Sequence, residues 1–126
     1  MDLVVEEKLQ IGALVAMYCH ALDSGDLESI VALFSDDAVF ETSRNTFTGK
    51  ESIRGFFKRN MAEDENERHF TSNHLISGGK DRAYHSCYYQ VVLRGNVGIK
   101  ATGVYQDHLI RVDEKWKFQH RKILPD

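Results

Sequence analysis

Apolar residues follow two rhythms along this chain. Up to about residue 61 they recur at helical spacing, and after residue 67 they alternate. In residues 4–22 the apolar positions Val4, Leu9, Ile11, Leu14, Val15, Tyr18 and Leu22 lie mostly three, four or seven apart, which predicts an amphipathic helix. DSGD at 23–26 ends it, and Asp26 is placed to cap a second helix over 27–34 with Ile30, Val31, Leu33 and Phe34 inward. DAVFETS at 37–43 alternates as a strand does. TGKES at 48–52 opens a third helix through Ile53, Phe56 and Phe57 that ends near Met61, and the acidic EDENE at 63–67 reads as a solvated loop. Period-two stretches at about 68–77, 83–94, 97–112 and 115–124 predict four long strands. SGGKD, RGNVG and VDEKW punctuate them, with Gly95-Asn96 suited to positive φ in a hairpin turn.

Helices followed by a run of hairpin-linked strands predict an α+β fold. Its helices should pack on one face of a curved, mostly antiparallel sheet. A bent sheet closed by helices is a cone, and a cone has an interior pocket. The 126 residues suit one domain, 1–126, with no repeat or linker in the pattern.

Composition narrows the partners. Apolar residues make up 42% and charged residues 28%, as in ordinary globular domains, and the net charge is −3 with Lys and Arg scattered. That argues against a nucleic-acid partner, which selects a basic stripe. No stretch is apolar enough for a membrane span, and MDLVVEEKLQ has acids where a secretory leader has bases, so a cytoplasmic protein is expected. Cys19 and Cys87 stand among apolar residues and read as buried free thiols rather than a disulfide.

Phosphate loops, G-x-S-x-G and HExxH motifs are missing. The six histidines lack metal-ligand spacing, and strict alternation sends His69 and His74 to opposite faces, so no metal site is expected. Acid–base chemistry remains. Asp23 sits at a helix C-terminus, where the dipole disfavours a carboxylate, and Asp26 already serves the turn. A contact between Asp23 and His69 would fix the imidazole tautomer and raise its basicity, the logic of a general base. On sequence pattern alone, Asp23 binding turn amides beside an ordinary strand histidine is the favoured reading. Alternation groups His85, Cys87, Tyr89, Val91 and Leu93 on one strand face, and sets Lys117, Gln119, Arg121 and Ile123 against Trp116, Phe118 and His120 on another.

The ordered set YCHALDSGDLESIVALFSDDAVF, TGKESIRGFF, RHFTSNHLI, DRAYHSCYYQVVL and ATGVYQDHLIRVDEKWKFQHRKI resembles the SnoaL-like branch of the NTF2-like superfamily over nearly the whole chain. The resemblance implies the cone-shaped α+β barrel. Its nearest chemistry is that of scytalone dehydratase, hexachlorocyclohexane dehydrochlorinase and bile-acid 7α-dehydratase, lyases that need no cofactor. It places Asp23 as the orienting carboxylate and His69 as the base. Tyr18 takes the position of a substrate-polarising tyrosine, and Arg121 that of an arginine assisting the leaving group. Tyr105, His85, Cys87, Tyr89 and Val91 fall on pocket-lining positions. The implied function is a cofactor-independent, dehydratase-type lyase on a small hydrophobic cyclic or polyketide-like substrate. The alternatives are an isomerase or polyketide cyclase using the same dyad, and a non-catalytic ligand-binding module. The chain stops directly after the last strand, without the C-terminal extension of several of these lyases, which disfavours a trimer. A homodimer is expected instead, through an outer sheet face carrying Tyr84, Tyr88 and Trp116.

Overall fold

The computed structural model describes residues 2–61, 66–95 and 98–126. The elements are α1 (Val5–Ser24), α2 (Leu27–Val31), β1 (Phe34–Glu41), β2 (Thr46–Thr48), α3 (Lys50–Met61), β3 (Glu67–Gly78), β4 (Arg82–Leu93), β5 (Gly98–Val112) and β6 (Lys115–Pro125). The strands form one sheet in the order β2-β1-β6-β5-β4-β3. Every neighbouring pair is antiparallel except β1 with β6. The helices close this curved, mostly antiparallel α+β sheet into a cone.

Gly25 ends α1 in a left-handed conformation (φ +72°), and the Asp26 N–H donates to the Ala21 carbonyl at 2.9 Å. Asp26 then caps α2, its carboxylate accepting from the Ser29 N–H at 3.2 Å and the Ser29 hydroxyl at 2.6 Å. The second helix is shorter than its apolar pattern suggests. IVALF is apolar throughout, and Phe34 leaves the helix to pair with Phe118 on β6, where it is fully buried. The short β2 lacks a periodic signal and was not expected. In the final hairpin, Asp113 and Glu114 both take positive φ, which the two-residue turn requires. The expected turn residue Asn96 and most of the acidic loop (63–65) lie outside the described residues. Glu67, expected in that loop, is instead buried in β3.

The core joins the inner face of α1 (Ile11, Leu14, Val15, Tyr18) to Ile30, Ile53 and the rings of Phe34, Phe40, Phe57 and Phe118. Phe34 and Phe118 lie 5.4 Å apart between centroids, and Phe40 and Phe57 5.0 Å. Val4 and Leu9, counted in the helical stripe, face outward.

Besides a register shift between Phe34 and Val39 on β1, three interruptions of the ladder decide which residues face the interior. One lies between Ser72 and Leu75 on β3, where Asn73 takes φ +56°. A second makes Lys100 the bulge residue of β5, and a third makes Gln119 that of β6. An extra residue reverses the alternation beyond it. Strict period two is therefore corrected twice. Phe118 and Arg121, an odd number apart, both point inward; on β3 His69 and, past the bulge, Ile76 share the inner face, and His74 turns to His85 while Leu75 faces out. Trp116, expected on an outer aromatic face, is buried, because it lies in phase with Phe118. Cys19 and Cys87 are buried free thiols. No helix among the described residues is long and apolar enough to cross a membrane.

Candidate active site

Asp23 lies in the last turn of α1, which carries no basic residue to complement the dipole. It faces β3, the edge strand of the sheet. An edge strand leaves N–H groups without strand partners, and Asp23 takes one of them. The His69 backbone N–H donates to Asp23 Oδ1 at 3.1 Å and Oδ2 at 3.0 Å. The imidazole Nδ1 of the same residue lies 2.7 Å from Oδ1. A carboxylate can only accept, so Nδ1 carries the proton and Nε2 keeps its lone pair. Nε2 has no hydrogen-bond partner among the described residues. One carboxylate thus fixes both the backbone and the ring of His69. The side chains are 9% and 17% exposed, dry enough for the pair to be well ordered and open enough for a proton to leave.

His69 borders an interior cavity of about 260 Å³. The walls are aromatic and aliphatic: Tyr18, Phe40, Phe56, Phe57, Tyr89, Val91, Tyr105 and Ile123. Asn60, Glu67 and Lys100 supply polar groups beside His69. Glu67 and Lys100 form an ion pair, and Lys100 is the bulge residue of β5. Asp23 does not reach this space. It approaches His69 from a separate groove that also includes Cys19, His20, Arg68 and Thr71. The histidine therefore stands in the wall between the two, its carboxylate partner behind it.

Two tyrosines border the cavity in different settings. Tyr18 is fully buried, and burial pushes its phenol well above the ordinary tyrosine pKa, against the opposing pull of the Arg121 cation. Tyr105 is raised in the same way, again chiefly by burial. Both are neutral hydroxyl donors at physiological pH. Tyr89 stacks on Tyr105 at 4.5 Å, with ring planes 12° apart. The close approach depends on Gly103, where a Cβ would lie 2.6 Å from Tyr89 Cε2 and 2.5 Å from the Leu124 carbonyl.

Arg121 is fully buried behind these rings and does not line the cavity. Its guanidinium carbon lies 4.3 Å from the Tyr18 centroid and 4.1 Å from that of Tyr105, cation–π distances. Nε and Nη2 donate to the Asp107 carboxylate at 2.8 and 3.0 Å. Burial opposes the arginine charge, but Asp107 together with the neighbouring tyrosines outweighs it and the cation persists. Asp107 also accepts from His85 Nδ1 at 2.7 Å. His85 and Cys87 belong to this buried layer and not to the cavity wall, whereas Tyr89, Val91 and Tyr105 line it.

Sequence reasoning missed Asp107, which stands in QDH with no local sign that it is buried against an arginine directly opposite on the neighbouring strand β6. It also missed Glu67 and Lys100, because the acidic run before Glu67 obscured the start of β3 and a bulge reoriented Lys100.

A SnoaL-like domain model matches residues 4–122. A protein of unknown function with a cystatin-like fold from Nostoc punctiforme is 29% identical over 100% of this chain and 96% of its own, with a TM-score of 0.94. A protein of unknown function from Mycobacterium tuberculosis is 30% identical over 95% of this chain and 72% of its own, with a TM-score of 0.87. A protein from Novosphingobium aromaticivorans, provisionally named a scytalone dehydratase, shares the fold at 22% identity, with a TM-score of 0.82 over 97% of this chain and 85% of its own. No curated protein matches the chain significantly. With the family model spanning nearly every element described above, the chain belongs to the SnoaL-like domain family of the NTF2-like superfamily.

Proposed function

We propose that this protein is a dehydratase-type lyase that uses its own side chains on a small, hydrophobic, cyclic or polyketide-like substrate. The observation that carries the reading is the 2.7 Å contact of His69 Nδ1 with Asp23, which leaves Nε2 as an acceptor on an apolar cavity. Aromatic walls favour a ring-bearing substrate, and about 260 Å³ suits a small one.

In this mechanism His69 Nε2 removes a proton from the carbon beside a carbonyl. The electron pair moves into an enolate, whose oxygen accepts hydrogen bonds from the neutral phenols of Tyr18 and Tyr105. Collapse of the enolate forms the C=C bond and breaks the C–O bond to the β-hydroxyl. The imidazolium returns its proton to that oxygen, and water leaves. Asp23 stabilises the imidazolium between the two steps. Arg121 is a positioning residue that holds the two phenol rings and polarises them from behind. A general base of this kind contributes roughly 10²–10⁴-fold.

The test is incubation with a panel of cyclic β-hydroxy ketones, followed by product mass. A dehydratase product has lost one water. A product of unchanged mass would assign isomerisation or cyclisation, which begin with the same proton abstraction. His69→Ala should abolish turnover in a chain that still folds, and full activity in that variant refutes the proposal.

A further inference from the structure

The bulge in β3 does more than restore the sheet's alternation. With Asn73 in a left-handed conformation, it turns His74 onto β4. His74 Nδ1 lies 2.9 Å from His85 Nε2, with the rings stacked 25° apart. Cys87 follows His85 by two residues and shares its inward face. The ligand atoms of His74, His85 and Cys87 all fall within 4.8 Å of one another. On the far side of His85, Nδ1 donates to Asp107, which directs the Nε2 lone pair toward the other two residues. Asp107 in turn accepts from Arg121 Nε and Nη2.

We propose that His74, His85 and Cys87 form a zinc-binding site. Two imidazole nitrogens and a sulfur are zinc's preferred donors. A carboxylate behind the ligating histidine is the arrangement that fixes tautomer and ring orientation in metal sites. Tetrahedral zinc, with bonds of about 2.0–2.1 Å to nitrogen and 2.3 Å to sulfur, sets ligand atoms roughly 3.3–3.6 Å apart. The cluster needs only small side-chain adjustment to reach this. The His74–His85 hydrogen bond uses the same lone pair, so metal and hydrogen bond exclude each other. Cys87 loses its proton to solvent as the sulfur–zinc bond forms, and water fills the fourth position on the exposed side of His74. None of the three residues lines the cavity beside His69, so the site ties β3 to β4 and stands apart from the proposed reaction.

The experiment titrates the chelator-treated 126-residue chain with Co²⁺ alone. One Co²⁺ per chain should bind, with a near-ultraviolet thiolate-to-cobalt absorption that Zn²⁺ displaces. Cys87→Ser should lose that absorption. His74→Ala removes an exposed side chain, so its folding is readily checked by circular dichroism, and it should weaken binding at least tenfold. A wild-type protein without the thiolate band, or unchanged affinity in His74→Ala, overturns the proposal.

Discussion

Asp23→Asn separates the two tasks that Asp23 performs. The amide oxygen of asparagine can still accept the His69 backbone N–H, now held at 3.0–3.1 Å. Its NH₂ group replaces one of the two oxygens. At the Oδ2 place it meets only the backbone N–H, and Nδ1 stays a donor to the amide oxygen; at the Oδ1 place it faces Nδ1, where two donors cannot share a hydrogen bond. The second orientation gives each partner its own amide atom, and we predict it: the imidazole moves its proton to Nε2 so that Nδ1 can accept. The nitrogen on the cavity becomes a donor, and the base is lost without loss of shape. Exchanging a charge-assisted bond (about 1.5–3 kcal/mol) for neutral ones (about 0.5–1.5 kcal/mol each) should destabilise the fold by about 1 kcal/mol. For a domain of this size that lowers Tm by roughly 3–6 °C. Asp23→Ala differs, because it leaves an N–H and a ring nitrogen unpaired. Each costs about 1–3 kcal/mol when buried, and less here because the groove behind Asp23 admits water. About 2–3 kcal/mol is expected.

Urea unfolding gives the two stabilities, and ¹⁵N shifts of His69 give the tautomer. The wild type should show Nδ1–H and Asp23→Asn Nε2–H, with turnover reduced by about 10²–10⁴-fold in the variant. An Asp23→Asn protein that keeps the Nδ1–H tautomer, or one that loses as much stability as Asp23→Ala, refutes the reasoning.

Tyr18→Phe retains the ring among Phe57, Tyr105 and Phe118, so stability should change by about 1 kcal/mol or less while turnover falls at unchanged cavity volume. Arg121→Met strands the fully buried Asp107 carboxylate and should cost about 3–5 kcal/mol in urea unfolding; a loss below about 1 kcal/mol would mean that Asp107 finds water. Gly103→Ala drives a Cβ against Tyr89 and the Leu124 carbonyl and should destabilise by about 1–3 kcal/mol, with weakened binding of aromatic ligands by calorimetry. The outer face of β3 and β4 exposes Leu75, Tyr84 and Tyr88, and we propose that a second copy covers it; sedimentation should give a dimer that Tyr84→Glu dissociates, and a wild-type monomer at high concentration removes the proposal.

The order of elements was legible because each signal runs over a long segment. The helical spacing in α1 is diluted, since Val4 and Leu9 face outward, yet it and the alternation in β3 to β6 survive errors at their ends. Asp23 was legible for a different reason. A carboxylate where the helix dipole disfavours it, beside a second acid better placed to cap, asks for a partner elsewhere. Pairing it with His69 was one reading of the residues, the resemblance favoured it, and the 2.7 Å contact connects them. What failed was the parity of the strands. A bulge inserts one residue without altering composition or hydrophobicity, so Asn73 and Gln119 look like ordinary exposed strand residues in the sequence. Each nevertheless reverses every side chain beyond it.

That reversal explains why the polar layer behind the cavity was unreadable. Under strict alternation Arg121 sits opposite Phe118 in facing, and His74 points away from His69. With the extra residues counted, Arg121 joins Phe118 inside and His74 meets His85. The layer His74–His85–Asp107–Arg121 then runs from the exposed edge of the sheet to the backs of Tyr18 and Tyr105. Its buried arginine needs Asp107 for neutralisation, and Asp107 in turn orients His85. A change at any member alters the charge felt by its neighbour. This coupling is open to measurement: the stability cost of Arg121→Met should shrink when Asp107→Asn is also present, because the stranded carboxylate is then gone. A double-mutant cycle giving additive costs would mean that the pair is held by packing, with charge a minor part.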